Sequence, residues 1–150
     1  MTLAQFLVKA KKKTYASEGE GGEKIKEDGC KELMFEKDNF KYRDRYYGVN
    51  PFIGEEVVFR NDKAVWVMNY CGTVISSDVN VKNIYTFLKK AMSQIKESRP
   101  FRGPAEYIDG DYKYIDSSDG DINNFTGTEE ISYQGEKVYK LSYHGCSIQK

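Results

Sequence analysis

The sequence predicts an α+β domain in which an α-β-β-β unit is used twice. The strands would form one curved, mostly antiparallel sheet with two helices packed on one face. Three observations predict this. Phrases recur in the same order in both halves, two segments carry apolar residues at helical spacing, and the remaining apolar segments are short, rich in aromatic and β-branched residues, and joined by turn signals.

The first helix is set by Leu3, Phe6, Leu7 and Ala10, which line one face at i, i+3, i+4 and i+7. Lys9, Lys11, Lys12 and Lys13 close it, where cations complement the helix dipole, with a weak anionic contact as the other reading. The stretch EGEGGEK (18–24) is glycine-rich but lacks the G-K-[ST] of a phosphate loop. Its three glutamates would repel phosphate, so it reads as a flexible loop. Strands are expected at 39–47, 55–60 and 64–71, with RNDK turning the last two into a hairpin, and a short extra strand fits ELMFE. The second helix carries Ile84, Phe87, Leu88, Ala91 and Ile95 on one face, with Asp78 or Asn80 as its cap and Pro100 beyond its end. Strands then follow at 111–117, 128–133 and 137–144, with a turn at YQGEK and a short extra strand at AEYID.

The repetition is specific. Phe52, Gly54, Glu56, Val65, Tyr70, Gly72 and Ile75 each meet an identical residue 73 positions later. Upstream, NFKYRD (39–44) matches DYKYID (111–116) at an offset of 72, and FLVKA (6–10) resembles FLKKA (87–91). These blocks predict a single domain over 1–150 built of two pseudo-symmetric halves, about 1–76 and 77–150.

Composition narrows the function classes. The 150 residues carry 23 basic and 23 acidic side chains, so the basic excess of a nucleic-acid binder is absent and no direct nucleic-acid contact is expected. No apolar window is long enough for a membrane helix, and the lysines near the N-terminus follow the apolar residues, the reverse of a secretory signal. Three widely spaced cysteines fit neither a disulfide framework nor a zinc site, so a reduced, cytoplasmic protein without a cofactor is expected.

The candidate site rests on repeated polar residues. Strand alternation puts Glu56 on the face of Val58, and Glu129 on the face of Ile131 and Tyr133. An acid on an apolar face needs a hydrogen-bond partner or a cation. One reading is a pocket between the halves, lined by Glu56, Glu129, Trp66, Tyr70, Tyr139 and Tyr143, which suits a small polar or cationic organic ligand. The other is that each glutamate accepts backbone N–H groups at a bulge or stands in solvent. Asp44 and Asp116 share faces with aromatics but sit near strand ends, where solvent or a turn contact is expected. Gly54, Gly127, Gly72 and Gly145 read as bulges or positive-φ turns. His144 is the only histidine and, with Cys146, lacks an orienting partner. DSSDGD (116–121) lacks the register of a calcium loop and reads as a solvated turn. No catalytic constellation or metal site is expected.

The phrases FLVKAKKKTYA, FIGEEVV, AVWVMNYCG, PFRGP, YIDGDYKYID and VYKLSYHG together resemble a bacterial family classed as a domain of unknown function. Some members are labelled negative effectors of an ECF-type sigma factor, and in others the domain follows a helix-turn-helix module. The resemblance implies an accessory domain of transcription control that senses a small ligand. An alternative is a protein-binding module that restrains a sigma factor or regulator without one. The expected shape is also similar to GyrI-like effector-binding domains, which hold a carboxylate inside an aromatic pocket, a likeness of fold alone.

Overall fold

The computed structural model describes residues 1–14 and 23–148. Helix α1 spans Leu3–Lys13 and α2 spans Val81–Met92. The strands are β1 (Lys24–Ile25), β2 (Lys31–Lys37), β3 (Phe40–Tyr47), β4 (Phe52–Arg60), β5 (Lys63–Val74), β6 (Glu106–Asp109), β7 (Tyr112–Asp121), β8 (Asn124–Tyr133) and β9 (Glu136–Ser147). Both short extra strands anticipated at ELMFE and AEYID form, as β2 and β6. The glycine-rich loop reading falls mostly on residues outside those described.

All nine strands join one antiparallel sheet in the order β1-β2-β3-β4-β5-β9-β8-β7-β6. Each of the two four-strand meanders, β2–β5 and β6–β9, runs inward from its own edge, and they meet where β5 pairs with β9. Tyr70 lies opposite Tyr143 at this seam, with Met68 opposite Gly145 and Gly72 opposite Leu141. Residues 73 apart therefore exchange places across the central pair.

Both helices cover the same face. Phe6 of α1 stacks on Phe40 at 4.9 Å between ring centroids, and Phe87 of α2 stacks on Tyr112 at 4.9 Å. Thr2 and Gln5 form a reciprocal capping box on α1, and Asn80 caps α2 by accepting from Lys82 N and Asn83 N. Helix α2 stops at Met92, short of Ile95, but Ile95 is still buried. The core beneath the helices comprises Phe6, Leu7, Tyr42, Val58, Trp66, Met68, Ile84, Leu88, Ile131 and Tyr139 among others. Leu33, Asp44, Glu56 and Met68 lie in one cross-strand row with Gly145 and Phe125. Asp116, Glu129 and Leu141 lie in the matching row with Gly72 and Phe52.

The glycine readings need correction. Gly54 and Gly127 lie inside strands, not at turns, and neither has a positive φ. A Cβ at Gly54 would strike the Tyr70 hydroxyl, and one at Gly127 would strike the Tyr143 ring. Each glycine lets a neighbouring tyrosine lie across the sheet. Gly72 and Gly145 likewise make room for the rings of Phe52 and Phe125. The bulges fall elsewhere, between Val58 and Phe59 and between Ile131 and Ser132. DSSDGD is not a loop either: it ends β7 and pairs with β8.

Candidate functional site

Four carboxylates occupy the covered face. Asp44 lies opposite Glu56 in the β3–β4 register, and Asp116 lies opposite Glu129 in the β7–β8 register. All four are buried, Glu56 and Glu129 completely. The expectation of solvent for Asp44 and Asp116 fails: Asp44 is flanked by Leu33 of β2 and capped by Tyr70, and Asp116 is enclosed by Tyr143, Tyr114 and Arg99.

Burial of this many acids requires cations and hydroxyl donors. Glu129 is the most fully satisfied. Arg102, from the segment after α2, donates Nη2 to Oε1 at 2.9 Å and Nε to Oε2 at 3.2 Å. Tyr139 donates to Oε1 at 2.8 Å and Tyr114 to Oε2 at 2.5 Å. Glu56 is paired with Lys11 at 2.9 Å, and the Lys11 ammonium also donates to the Phe101 carbonyl and sits 5.5 Å above the Trp66 ring. Burial pushes the Lys11 ammonium below its ordinary range, opposed by the Glu56 charge.

The two aspartates differ. Asp116 accepts from Tyr143 at 2.6 Å and from Arg99 Nη2 at 3.3 Å, and that same Nη2 reaches the Asp116 carbonyl and Ser118. Asp44 accepts from Tyr70 at 2.5 Å and has no cation at ion-pair distance among the described residues. Burial, and then the Glu56 charge, push Asp44 up to about 8. The same two causes, with Glu129 as the neighbour, push Asp116 up to about 6. Three buried or half-buried cations, Lys11, Arg99 and Arg102, thus face four carboxyl groups, and Asp44 is the one left over.

Where Asp116 meets a guanidinium, Asp44 meets open space. A cavity of about 680 Å³ lies between α2 and the sheet over the first half. Asp44, Tyr70 and Arg102 are in its wall, with Leu33, Tyr46 and Phe52 from the sheet and Tyr85, Leu88 and Met92 from α2. The Arg102 guanidinium stacks 5.3 Å from the Tyr70 ring, so it ties the cavity to the Glu129 cluster. Volume and lining are those of a small-molecule pocket, apolar and aromatic with a few convergent polar groups.

Of the residues expected to form a pocket, the structure places only Tyr70 in this wall. Glu56 and Glu129 are sealed beneath it by their own cations. Trp66 is packed in the core, stacked on Phe125 at 5.7 Å and donating to the Ile122 carbonyl. Tyr139 and Tyr143 are spent on Glu129 and Asp116. The glutamates do come together with the aromatics, as one hydrogen-bonded network running under the cavity. Sequence reasoning did not single out Arg102, read Asp44 as solvent-facing, and read Lys11 as part of a cluster at the helix end. A signal existed for Lys11, which falls four residues after Leu7 on the apolar face of α1.

His144 stands on the opposite face, 3.5 Å from Asn69, away from the network. Among the described residues, no group of three His, Cys, Asp or Glu side chains is placed to hold a metal ion, and no helix is long and apolar enough to cross a membrane.

A family model described as Domain of unknown function (DUF5680) matches residues 44–148. No curated protein and no solved structure matches the chain.

Proposed function

The chain belongs to the family described as Domain of unknown function (DUF5680), and from that premise and the cavity we propose a non-enzymatic, ligand-sensing domain that takes a small organic cation. One observation carries the proposal: the Asp44 carboxyl is 2% exposed, lies in the wall of an aromatic cavity and, among the described residues, lacks the cation that its counterpart Asp116 has in Arg99. A ligand ammonium or guanidinium would stand at Asp44 as Arg99 stands at Asp116. Phe52 and Tyr85 are aromatic lining residues of the same cavity, and a desolvated cation–π contact is worth about 2 kcal/mol. Burial holds the hydroxyls of Tyr70, Tyr114 and Tyr139 well above their ordinary range, which suits structural donors. The link to transcription control, through a bacterial sigma factor or regulator, rests on the family resemblance of the sequence.

A thermal-shift panel tests the proposal. Alkylammonium and alkylguanidinium ions should raise the melting temperature, and neutral isosteres should not. The shift should vanish in Asp44→Asn. A cation-induced shift of equal size in that variant would refute the site.

A second reading, a protein-binding module, draws on the sheet face turned away from the helices. Met34, Ile53, Ile108 and Ile115 are exposed there, on β2, β4, β6 and β7.

A further inference from the structure

Asp44 is one charged group in the cavity wall, but among the described residues most of the other charge in the lining is basic. Lys31, Lys82, Lys89 and Arg102 line it, against Asp44 and Glu23. Arg102 is committed to Glu129, and Glu23 accepts a hydrogen bond from Tyr46. Among the described residues, Lys31 and Lys82 have no carboxylate partner: Lys31 lies 5.5 Å from the Tyr46 ring, and Lys82 stands in the first turn of α2. That turn contains no acidic residue, and Val81 and Lys82 present it to the cavity. Asn80 already accepts from the Lys82 and Asn83 N–H groups, so an anion there would be drawn by the Lys82 ammonium and the helix dipole and not by free N–H groups. A cationic group placed beside these lysines would be repelled by them.

We infer that the ligand is a small zwitterion, with its cationic group held at Asp44 and its carboxylate or other anionic group held by Lys31 and Lys82 beside the start of α2. The inference rests on the cation-binding reading and adds the second anchor. It also explains why the lining is aromatic and aliphatic between the ends: Leu33, Phe52, Tyr85 and Leu88 suit a short hydrocarbon spacer.

The test uses matched pairs that differ only in the anionic group: butylamine against 4-aminobutyrate, and butylguanidinium against 4-guanidinobutyrate. Affinities are measured calorimetrically on the full chain. The zwitterion of each pair should bind at least about tenfold more tightly. The double variant Lys31→Gln/Lys82→Gln should erase that advantage and leave binding of the plain cation unchanged or stronger. Asp44→Asn should weaken both members. Equal, Asp44-dependent binding of cation and zwitterion would overturn the second anchor and leave the cation reading intact. Binding of neither, or binding that ignores Asp44, would overturn both.

Discussion

Removing Arg102 isolates the network under the cavity. In Arg102→Met the aliphatic stem is kept, but Glu129 loses two charge-assisted hydrogen bonds of 2.9 and 3.2 Å at a site with no solvent exposure. Breaking a buried ion pair from one side costs about 3–5 kcal/mol, because the remaining charge has no water to turn to. Glu129 retains the hydroxyls of Tyr114 and Tyr139, so the lower end, about 3 kcal/mol, is expected. For a domain of this size that is a melting-temperature loss of about 6–12 °C. Urea unfolding followed by circular dichroism gives the free energy directly. The double variant Arg102→Met/Glu129→Gln removes the stranded charge and should recover more than half of the loss. An Arg102→Met cost under about 1 kcal/mol, or a double variant as unstable as the sum of the two single ones, would refute the buried pair.

Two further predictions concern the tyrosine and aspartate arrangement. Gly127→Ala drives a methyl into the Tyr143 ring and displaces its hydroxyl from Asp116, so a loss of about 2–4 kcal/mol is expected; a change within about 0.5 kcal/mol would show that the ring does not lie across the glycine. Asp44 and Asp116 are both raised above the unfolded carboxyl value, to about 8 and about 6. Above the ordinary carboxylate range the folded chain therefore holds protons that the unfolded chain has given up, and stability falls as pH rises through that window. Between pH 6 and 8 the loss is at most about 1.4 kcal/mol per pH unit for the one proton on Asp44, and Asp44→Asn should flatten the slope. Melting temperatures across that range that are level in the wild type would contradict the buried, cation-free Asp44.

Much of the architecture was readable because it rests on local periodicity. The apolar spacing of Phe6, Leu7, Phe87 and Leu88 and the turn at Tyr133–Lys137 are local signals, and the elements form where those signals stand. The alternation also marked Glu56 and Glu129 as acids on an apolar face, and they are the two most deeply buried carboxylates. The site itself was less legible because its cations come from elsewhere in the chain. Lys11 belongs to a lysine cluster that looks solvated, and Arg102 sits in an irregular segment with no periodicity to orient it. Asp44 and Asp116 were judged by their place along the strand, whereas their burial is set by side chains from other strands and, for Asp116, by Arg99. The offset repeat made the halves look equivalent. The difference between Arg99 at Asp116 and open cavity at Asp44 appears only in three dimensions, and the proposed ligand site rests on it.

The most direct test is a binding isotherm for butylguanidinium on the wild type and on Asp44→Asn at pH 8.5, above the titration of Asp44. Saturable one-to-one binding in the wild type, weakened at least about tenfold in the variant, is the result this account predicts. Affinity that is unchanged by the substitution, in a variant that melts as cooperatively as the wild type, would contradict it.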